Sequence, residues 1–138
     1  MAWVVDTCVI VDVLDDDPDY GQSSALCLEQ RMETGLIVSP VTYVELAPAF
    51  WGDESRLREF LDQLGARWNE PWTDADAHAA FRAWYRHIKA RRQGLSIKRP
   101  VADILIGAFA SRFEGVITRN PGDFSGAFPK LVIIQPGG

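Results

Sequence analysis

Four acidic residues are the candidates for chemistry in this sequence: Asp6, Glu45, Asp103 and Asp123. Asp6 directly follows a short apolar segment, and Asp123 lies in a polar turn shortly after another one. Glu45 and Asp103 interrupt segments that are otherwise almost entirely apolar, where a charge is costly unless it is paired or bound to a metal ion. Each acid alone could be a helix cap or a turn residue, so their importance depends on whether the fold gathers them.

Carboxylates that lie close together repel one another, and this repulsion indicates that a cation is their ligand. Two such charges roughly 4 Å apart repel by about 4 kcal/mol at an effective dielectric constant of about 20, and some of the four would stay protonated. One or two divalent cations would remove this repulsion. An all-oxygen ligand set without nearby Cys or His favours Mg²⁺ or Mn²⁺ over Zn²⁺, and the chemistry that such ions support is hydrolysis of phosphodiesters by an activated water.

Short apolar segments alternate with helical patterns along the whole chain. The apolar segments predict strands at residues 3–5, 36–39, 116–118 and 131–134, and residues 67–69 could form a further short strand. Caps, prolines and helical periodicity predict helices over 7–14, over 17–33, from 40 to a kink or end near Pro48, after the cap Asp53, over 73–92 and over 100–113, with a loop at 94–99.

This alternation is typical of an α/β domain. We predict one domain over residues 1–138, with a mostly parallel sheet of four to five short strands and helices on both faces. Residues 135–138, of sequence QPGG, are expected to form a loose tail.

The predicted fold gives a reason for the acids to converge. In open parallel sheets, ligands bind beyond the carboxyl ends of the strands. Asp6 closes the first predicted strand, Thr118 closes a later one, and Asp123 follows it. Glu45 and Asp103 lie in the first two turns of predicted helices, whose N-termini face the same edge in a βα unit. The sequence therefore predicts one acidic site at this edge.

The charge distribution bears on possible partners. The net charge is −5, with 14 Lys and Arg residues against 19 Asp and Glu residues, which taken alone argues against nucleic acid. Half of the basic residues, however, lie within residues 82–99 with no acid among them: Arg82, Arg86, Lys89, Arg91, Arg92, Lys98 and Arg99. This basic stripe could attract a polyanion or could be a solvated helix face. The five tryptophans are expected to be core or interface residues. Trp84, together with Tyr85, is the exception to consider, because both are interleaved with the arginines of the stripe and could stack on bases.

Other features indicate a cytosolic protein. No apolar segment approaches the ~20 residues that span a membrane, and the N-terminal residues MAWVVD do not resemble a secretory signal. Cys8 and Cys27 form no CxxC pair. We therefore expect a cytoplasmic location, reduced cysteines and no membrane partner. The aspartates at 12, 15, 16, 17 and 19 are expected to be solvated caps, although Asp12 could face the site if the first helix begins at Thr7.

The positions of these residues resemble those of a known family. Asp6-Thr7 after an apolar strand, Glu45 on a helix after the second strand, Asp103 in ADILIGAFA and the segment ITRNPGDF together resemble a PIN-domain ribonuclease. Within that family the chain is most similar to the VapC/FitB-type toxins of bacterial toxin–antitoxin pairs. The resemblance covers nearly the whole chain, and its most specific part is TRNPGDF, which matches the TRN-x-x-DF pattern of the family.

The resemblance carries expectations for residues, cofactors and partners. It implies that Asp6, Glu45, Asp103 and Asp123 are the catalytic metal ligands for Mg²⁺ or Mn²⁺. It implies that Thr7 and Thr118 hold waters or side chains around them and that Asn120 braces the loop that presents Asp123. It further implies cleavage of single-stranded RNA, a homodimer and a cognate antitoxin protein.

Two residues depart from the family pattern, and two other functions stay open. Cys8 stands where the family often has Asn, and a thiol is a poor partner for Mg²⁺. Pro48 lies close after Glu45 and could tilt its helix. Cys8 also argues against an aspartyl phosphatase, which needs a second acid at that position. A non-catalytic RNA- or protein-binding module that retains the PIN fold is the main alternative.

Overall fold

The computed structural model describes residues 1–95 and 100–137. Residues 96–99 of the predicted loop lie outside the described residues, as do Lys98 and Arg99 of the basic stripe and the last residue of the predicted tail.

A parallel sheet forms the centre of the molecule. The described residues form five strands: β1 (Trp3–Val5), β2 (Leu36–Ile37), β3 (Ala66–Arg67), β4 (Gly115–Ile117) and β5 (Ile133–Ile134). Their order is β3-β2-β1-β4-β5, and every neighbouring pair is parallel. Val4 of the central strand is in register with Ile37 on one side and Val116 on the other. The predicted α/β class and parallel sheet are confirmed.

Helices connect successive strands. The described residues form α1 (Thr7–Leu14), α2 (Gly21–Arg31), α3 (Pro40–Glu45), α4 (Glu54–Leu64), α5 (Asp74–Arg92), α6 (Val101–Ala110) and α7 (Gly122–Ser125), and a 3₁₀-helix spans Ala47–Phe50. Several start where the sequence places a cap: the Ser39, Asp53 and Thr73 side chains each accept a backbone N–H of the first turn. Thr73 and Asp76 form a reciprocal capping box, which satisfies N–H groups that the helix itself leaves unpaired.

Both faces of the sheet are apolar, as alternation along a buried strand requires. Trp3 and Val5 of β1 pack in one cluster with Ile10 of α1 and Leu61 of α4. Val4 points to the opposite face, into a second cluster that includes Phe109 of α6. Helices therefore cover both faces, as the sequence predicts.

The long helix α5 packs on α6 in the antiparallel direction. Ala80 and Ala83 of α5 share a buried cluster with Ile104 and Ala108 of α6. The direction follows from an ion pair: Arg112, just after the C-terminus of α6, donates from Nε to Asp76 Oδ1 at 2.6 Å in the first turn of α5. The C-terminal end of α5 therefore lies toward the N-terminal end of α6. Because α6 leads directly into the amino end of β4, both of those ends lie toward the carboxyl edge of the sheet.

Two predicted helix boundaries are wrong for identifiable reasons. Asp17 Oδ1 accepts the backbone N–H groups of Asp19 and Tyr20, each at 2.9 Å. This side-chain-stabilised turn competes with the helix, so α2 begins at Gly21 rather than at 17. At the other boundary, α6 ends at Ala110 rather than 113. The N–H groups of Arg112 and Phe113 donate to the carbonyls three residues back, as in a turn, and not to those four residues back, as in an α-helix. The short helix α7 was not predicted.

β1 covers residues 3–5 as predicted, whereas the other four described strands are shorter than predicted or shifted by one residue. β2 ends at Ile37 instead of 39, β3 covers 66–67 instead of 67–69, β4 covers 115–117 instead of 116–118, and β5 covers 133–134 instead of 131–134. Gly115 explains the start of β4, since a Cβ there would collide with the carbonyl oxygen of Val132. Only glycine allows the backbones to approach this closely.

Candidate functional site at the carboxyl edge of the sheet

Asp6 lies where β1 ends and α1 begins, and both elements fix its position. Its backbone N–H donates to Ile117 O of β4 at 2.9 Å, and its side chain caps α1 by accepting Thr7 N–H at 2.8 Å. The other carboxylate oxygen accepts the Thr118 hydroxyl at 2.8 Å and the Cys8 thiol at 3.3 Å. With only 6% of its surface exposed, Asp6 is a buried carboxylate supported by three donors.

The environment of Asp6 disfavours the ionised form of its carboxyl group. Burial raises the pKa of Asp6 above its usual value of 3.8, and the negative charge of Glu45 adds to the rise, while the hydrogen bonds from Thr118, Cys8 and Thr7 oppose it. Loss of water is the largest of these effects. A cation bound nearby would offset both the cost of burying the Asp6 charge and its repulsion by Glu45. The site is therefore better suited to binding a cation than to holding the carboxylate without one.

Glu45 is connected to Asp6 through one threonine. The Thr7 hydroxyl donates to Glu45 Oε1 at 2.7 Å, and it lies 3.0 Å from the Thr42 hydroxyl on the same helix as Glu45. Because Thr7 has a single hydroxyl proton and a carboxylate only accepts, Thr42 supplies the proton for the second contact. Glu45 is exposed at the end of α3, so this carboxylate faces solvent while Asp6 lies behind it.

Thr118 joins the neighbouring strand to the same group. Its hydroxyl donates to Asp6 and accepts the backbone N–H of Asn120 at 3.0 Å, and its own N–H donates to Ile134 O of β5. The Asn120 carbonyl in turn accepts Asp123 N–H at 3.0 Å. A continuous hydrogen-bonded path therefore runs from Asp6 to the backbone of the loop that carries Asp123.

Asp103 and Asp123 approach this edge from two other elements. Asp103 lies in the first turn of α6 and Asp123 in α7, directly after β4, and both side chains are half-buried. Within residues 1–95 and 100–137, no three His, Cys, Asp or Glu side chains form a group arranged to hold a metal ion. The topology thus brings all four acids to one edge, and Thr7 joins Asp6 to Glu45 there. The four-residue metal site stays a prediction.

Cys8 has a defined role in this arrangement. Burial, followed by the charge of Asp6, raises the pKa of the thiol to about 12. The sulfur therefore keeps its proton at neutral pH and donates it to Asp6 Oδ2. Cys8 acts as a weak hydrogen-bond donor to the buried carboxylate, which is a role that needs no affinity for a metal.

An ion pair beside the site was missed by the sequence analysis. Asp12 was expected to be solvated, but it is 2% exposed, and Arg119 donates to both of its carboxylate oxygens, at 2.9 and 3.0 Å. The guanidinium also lies over the Tyr20 ring, 4.6 Å from its centre. Arg119 follows Thr118 directly, so this bidentate pair attaches the loop after β4 to α1. The signal in the sequence was an acid within the apolar segment TCVIVDVL, the same signal that identified Glu45 and Asp103.

The described part of the basic stripe follows α5. Arg82, Arg86, Lys89, Arg91 and Arg92 are all exposed on this helix. Arg86 also donates to the Ala127 carbonyl at 3.3 Å, so part of its role is structural. Because the C-terminal end of α5 lies toward the carboxyl edge, the stripe leads toward the acidic site.

Comparisons with known proteins identify the fold. No family model matches the chain, and no curated protein matches it in sequence. A chain in the crystal structure of VapBC2 from Rickettsia felis, bound to a DNA fragment from its promoter, is similar in structure with a TM-score of 0.71. The match covers 98% of each chain at 17% sequence identity. The protein therefore has the PIN-like fold that its sequence pattern indicates. None of the described helices is long and apolar enough to cross a membrane.

The Asp12–Arg119 pair should contribute to stability. Arg119→Met leaves the buried Asp12 carboxylate without its partner, and we expect the free energy of unfolding to fall by about 3 kcal/mol. The measurement is urea denaturation followed by tryptophan fluorescence. Arg56→Met is the matched control, since its ion pair with Asp53 is exposed and should contribute less than about 1 kcal/mol. Combining Arg119→Met with Asp12→Leu should recover part of the loss, and equal losses in the single and double variants would contradict this account.

The raised pKa of Asp6 should make stability depend on pH. The native state holds the Asp6 proton more tightly than the unfolded chain does, so the stability due to this group falls as pH rises from 3.8 through the raised native pKa. Above that window and without divalent ions, Asp6→Asn should be more stable than the wild type, because Asn keeps the helix cap and removes the charge. Below pH 3.8 the difference should disappear.

Thermal unfolding in EDTA across this pH range measures the effect, with the exposed Asp15→Asn as control. A difference between Asp6→Asn and the wild type that does not change with pH would contradict the assignment.

Proposed function

We propose that this chain is a metal-dependent endoribonuclease and the toxin of a type II toxin–antitoxin system, which hydrolyses single-stranded regions of RNA. The observation that carries the proposal is the buried Asp6, joined to Glu45 through Thr7 at the carboxyl edge of a PIN-like fold. Burial of an acid with an unfavourable charge is hard to explain by stability alone and is typical of functional sites.

The residues present fit a divalent ion. Mg²⁺ and Mn²⁺ prefer oxygen ligands, and Mg²⁺ is usually bound by one or two carboxylates together with waters and substrate phosphates. Asp6 and Glu45 supply two such carboxylates, and we propose Asp103 and Asp123 as the others. One or two ions held there would lower the pKa of the attacking water and neutralise charge on the phosphodiester.

The other residues of the site keep these carboxylates in place. Thr118, Cys8 and Thr7 N–H donate to Asp6, and the Thr7 hydroxyl donates to Glu45. Each donor satisfies an oxygen lone pair and limits rotation of the side chain, so little rearrangement is needed when substrate arrives. The exposed arginines and Lys89 of α5 would attract the RNA backbone, which the net negative charge of the chain would otherwise repel.

A non-catalytic RNA- or protein-binding module is the second candidate. One observation favours it: within residues 1–95 and 100–137, no three acidic, His or Cys side chains form a group arranged to hold a metal ion. Metal-dependent cleavage separates the two candidates directly, because a binding module retains affinity for its partner but cuts nothing.

Cleavage of RNA should depend on divalent ions and on the acids. We expect a panel of single-stranded RNAs to be cut with Mg²⁺ or Mn²⁺ and left intact in EDTA. Asp6→Asn and Asp103→Asn should each lower the cleavage rate by more than about 100-fold, measured by gel electrophoresis of end-labelled RNA. Asp19→Asn, at an exposed position, is the control and should cut like the wild type. Activity that survives EDTA would exclude the proposed chemistry.

The proposed partner is an antitoxin, and the proposed assembly also includes a second copy of the chain. The structurally similar chain comes from a VapBC2 complex bound to promoter DNA. By analogy, we propose that this protein acts in the cytoplasm as a homodimer that a cognate antitoxin neutralises.

Expression of the chain alone should therefore slow bacterial growth, and the product of a neighbouring small gene should restore it. Growth curves of cells that express the wild type or Asp6→Asn measure this effect, and only the wild type should be harmful. Equal harm from both would show that toxicity does not arise from the acidic site.

A further inference from the structure

The face of α5 that points away from the core carries two exposed aromatic side chains. Phe81 is 77% exposed and Tyr85 is 63% exposed. They are four residues apart on the helix, so their side chains are neighbours, with Cβ atoms about 5–6 Å apart. Single exposed apolar residues are common, but two adjacent rings on one helix surface form a small apolar patch in contact with water.

This patch lies directly opposite the buried side of the helix. At about 100° per residue, the buried residues Asp76, Ala80, Ala83 and His87 cluster on one side of α5. The exposed residues His78, Phe81, Arg82, Tyr85, Lys89 and Arg92 fall within a sector of about 100° centred on the other side. The two rings are thus not displaced core residues, since the core of α5 is complete without them.

The surroundings of the two rings are cationic. No Asp or Glu occurs between Asp76 and Asp103, so the outer face of α5 from Ala77 onwards carries positive and neutral groups only. Arg82 lies about one turn before Tyr85 on the helix surface, and Lys89 lies about one turn after it. A protein with a net charge of −5 thus presents aromatic rings and cations together on one helix.

We propose that Phe81 and Tyr85 form a stacking platform for unpaired bases of single-stranded RNA, with Arg82 and Lys89 holding the adjacent phosphates. This inference rests on the proposed function and deepens it, because it assigns the surface that recognises the single strand. Aromatic rings stack on bases of any sequence, and neighbouring cations attract the backbone. A base inside a duplex has its faces covered, so this surface selects unpaired RNA.

The direction of α5 connects the platform to the acidic site. The C-terminal end of α5 lies toward the N-terminal end of α6, where Asp103 is located. A strand that stacks on Phe81 and Tyr85 and follows the cations along the helix is led toward the carboxyl edge of the sheet.

The proposed stacking platform pairs Tyr85 with a different aromatic residue from the one that the sequence suggested. Trp84 was considered with Tyr85 as a possible stacking residue among tryptophans that were expected to be core or interface residues. It is half-buried, packs against the cluster between α5 and α6, and has its ring 5.6 Å from that of His87. Phe81 takes its place beside Tyr85.

The test is equilibrium binding in EDTA, which prevents metal-dependent cleavage. The probe is a 12-nucleotide single-stranded RNA of mixed sequence that contains 2-aminopurine, whose fluorescence is quenched by stacking. We expect Phe81→Ala combined with Tyr85→Ala to weaken binding at least tenfold, to abolish the quenching, and to leave the dependence of affinity on salt unchanged. Both residues are exposed, so folding should be preserved, which thermal unfolding verifies.

Two further variants separate stacking from charge and from general surface effects. Arg82→Gln combined with Lys89→Gln should reduce the salt slope by about 1 to 1.5 while keeping the quenching. Trp51→Ala removes an aromatic side chain that is 85% exposed on a different element, and it should bind RNA like the wild type. A 12-base-pair RNA duplex should be bound equally by the wild type and the Phe81/Tyr85 variant.

The outcomes distinguish this inference from the nuclease proposal. If the Phe81/Tyr85 variant binds the single strand within twofold of the wild type, the stacking platform is wrong even when RNA is cut. If that variant also changes from dimer to monomer in sedimentation, the face is an interface between copies. Selective loss of single-strand binding in a chain that never cuts RNA would support the platform and defeat the nuclease proposal.

Discussion

The hydrogen bond from the Thr118 hydroxyl to the Asp6 carboxylate is the contact on which the site depends. It joins the ends of two neighbouring parallel strands, β1 and β4, at the position where both chains leave the sheet. A buried carboxylate is tolerated only when donors surround it, and the parallel register supplies this donor without any adjustment of the backbone. The strands therefore determine not only where Asp6 lies but also that it can be buried at all.

The same edge is stabilised from both sides. Thr7 links α1 to the end of α3 through Glu45, and Arg119 links the loop after β4 back to α1 through Asp12. The first contact leaves the Glu45 carboxylate exposed to solvent, whereas the second holds the Asp12 carboxylate, which is buried. Two acids of the same short segment also differ in role. Asp6, the N-cap of α1, is held in the site that we propose for metal ions, and Asp12, within α1, holds the structure beside it.

The sequence predicted the architecture well because the fold follows local patterns. Buried strands are continuous apolar segments, and caps such as Ser39, Asp53 and Thr73 start helices wherever they occur, so element type and order could be read directly. The exact strand ends could not, since they depend on neighbours far along the chain: Gly115 begins β4 because Val132 passes close to it. The start of α2 was missed because Asp17 forms a turn that competes with the helix.

The site was predictable to a similar degree. The acids were recognised because charge is unusual in apolar segments, and their arrival at one edge follows from topology alone. The pairing of Arg119 with Asp12 could not be predicted, because the two residues are 107 positions apart in the sequence. The outward position of Phe81 could not be predicted either, because it depends on how α5 is rotated about its axis by a few tens of degrees. The thiol donor role of Cys8 likewise depends on the burial of its neighbour.

The distance in sequence between Asp6 and Thr118 has a consequence for biosynthesis. These two residues are separated by 112 positions, and β1 is the central strand even though it is made first. During translation, β1 cannot complete its pairing until β4 has emerged from the ribosome, so an incomplete chain exposes Asp6 to water instead of burying it. For a protein that we propose to cut RNA, this order delays assembly of the site until the segment that contains Thr118 has been translated.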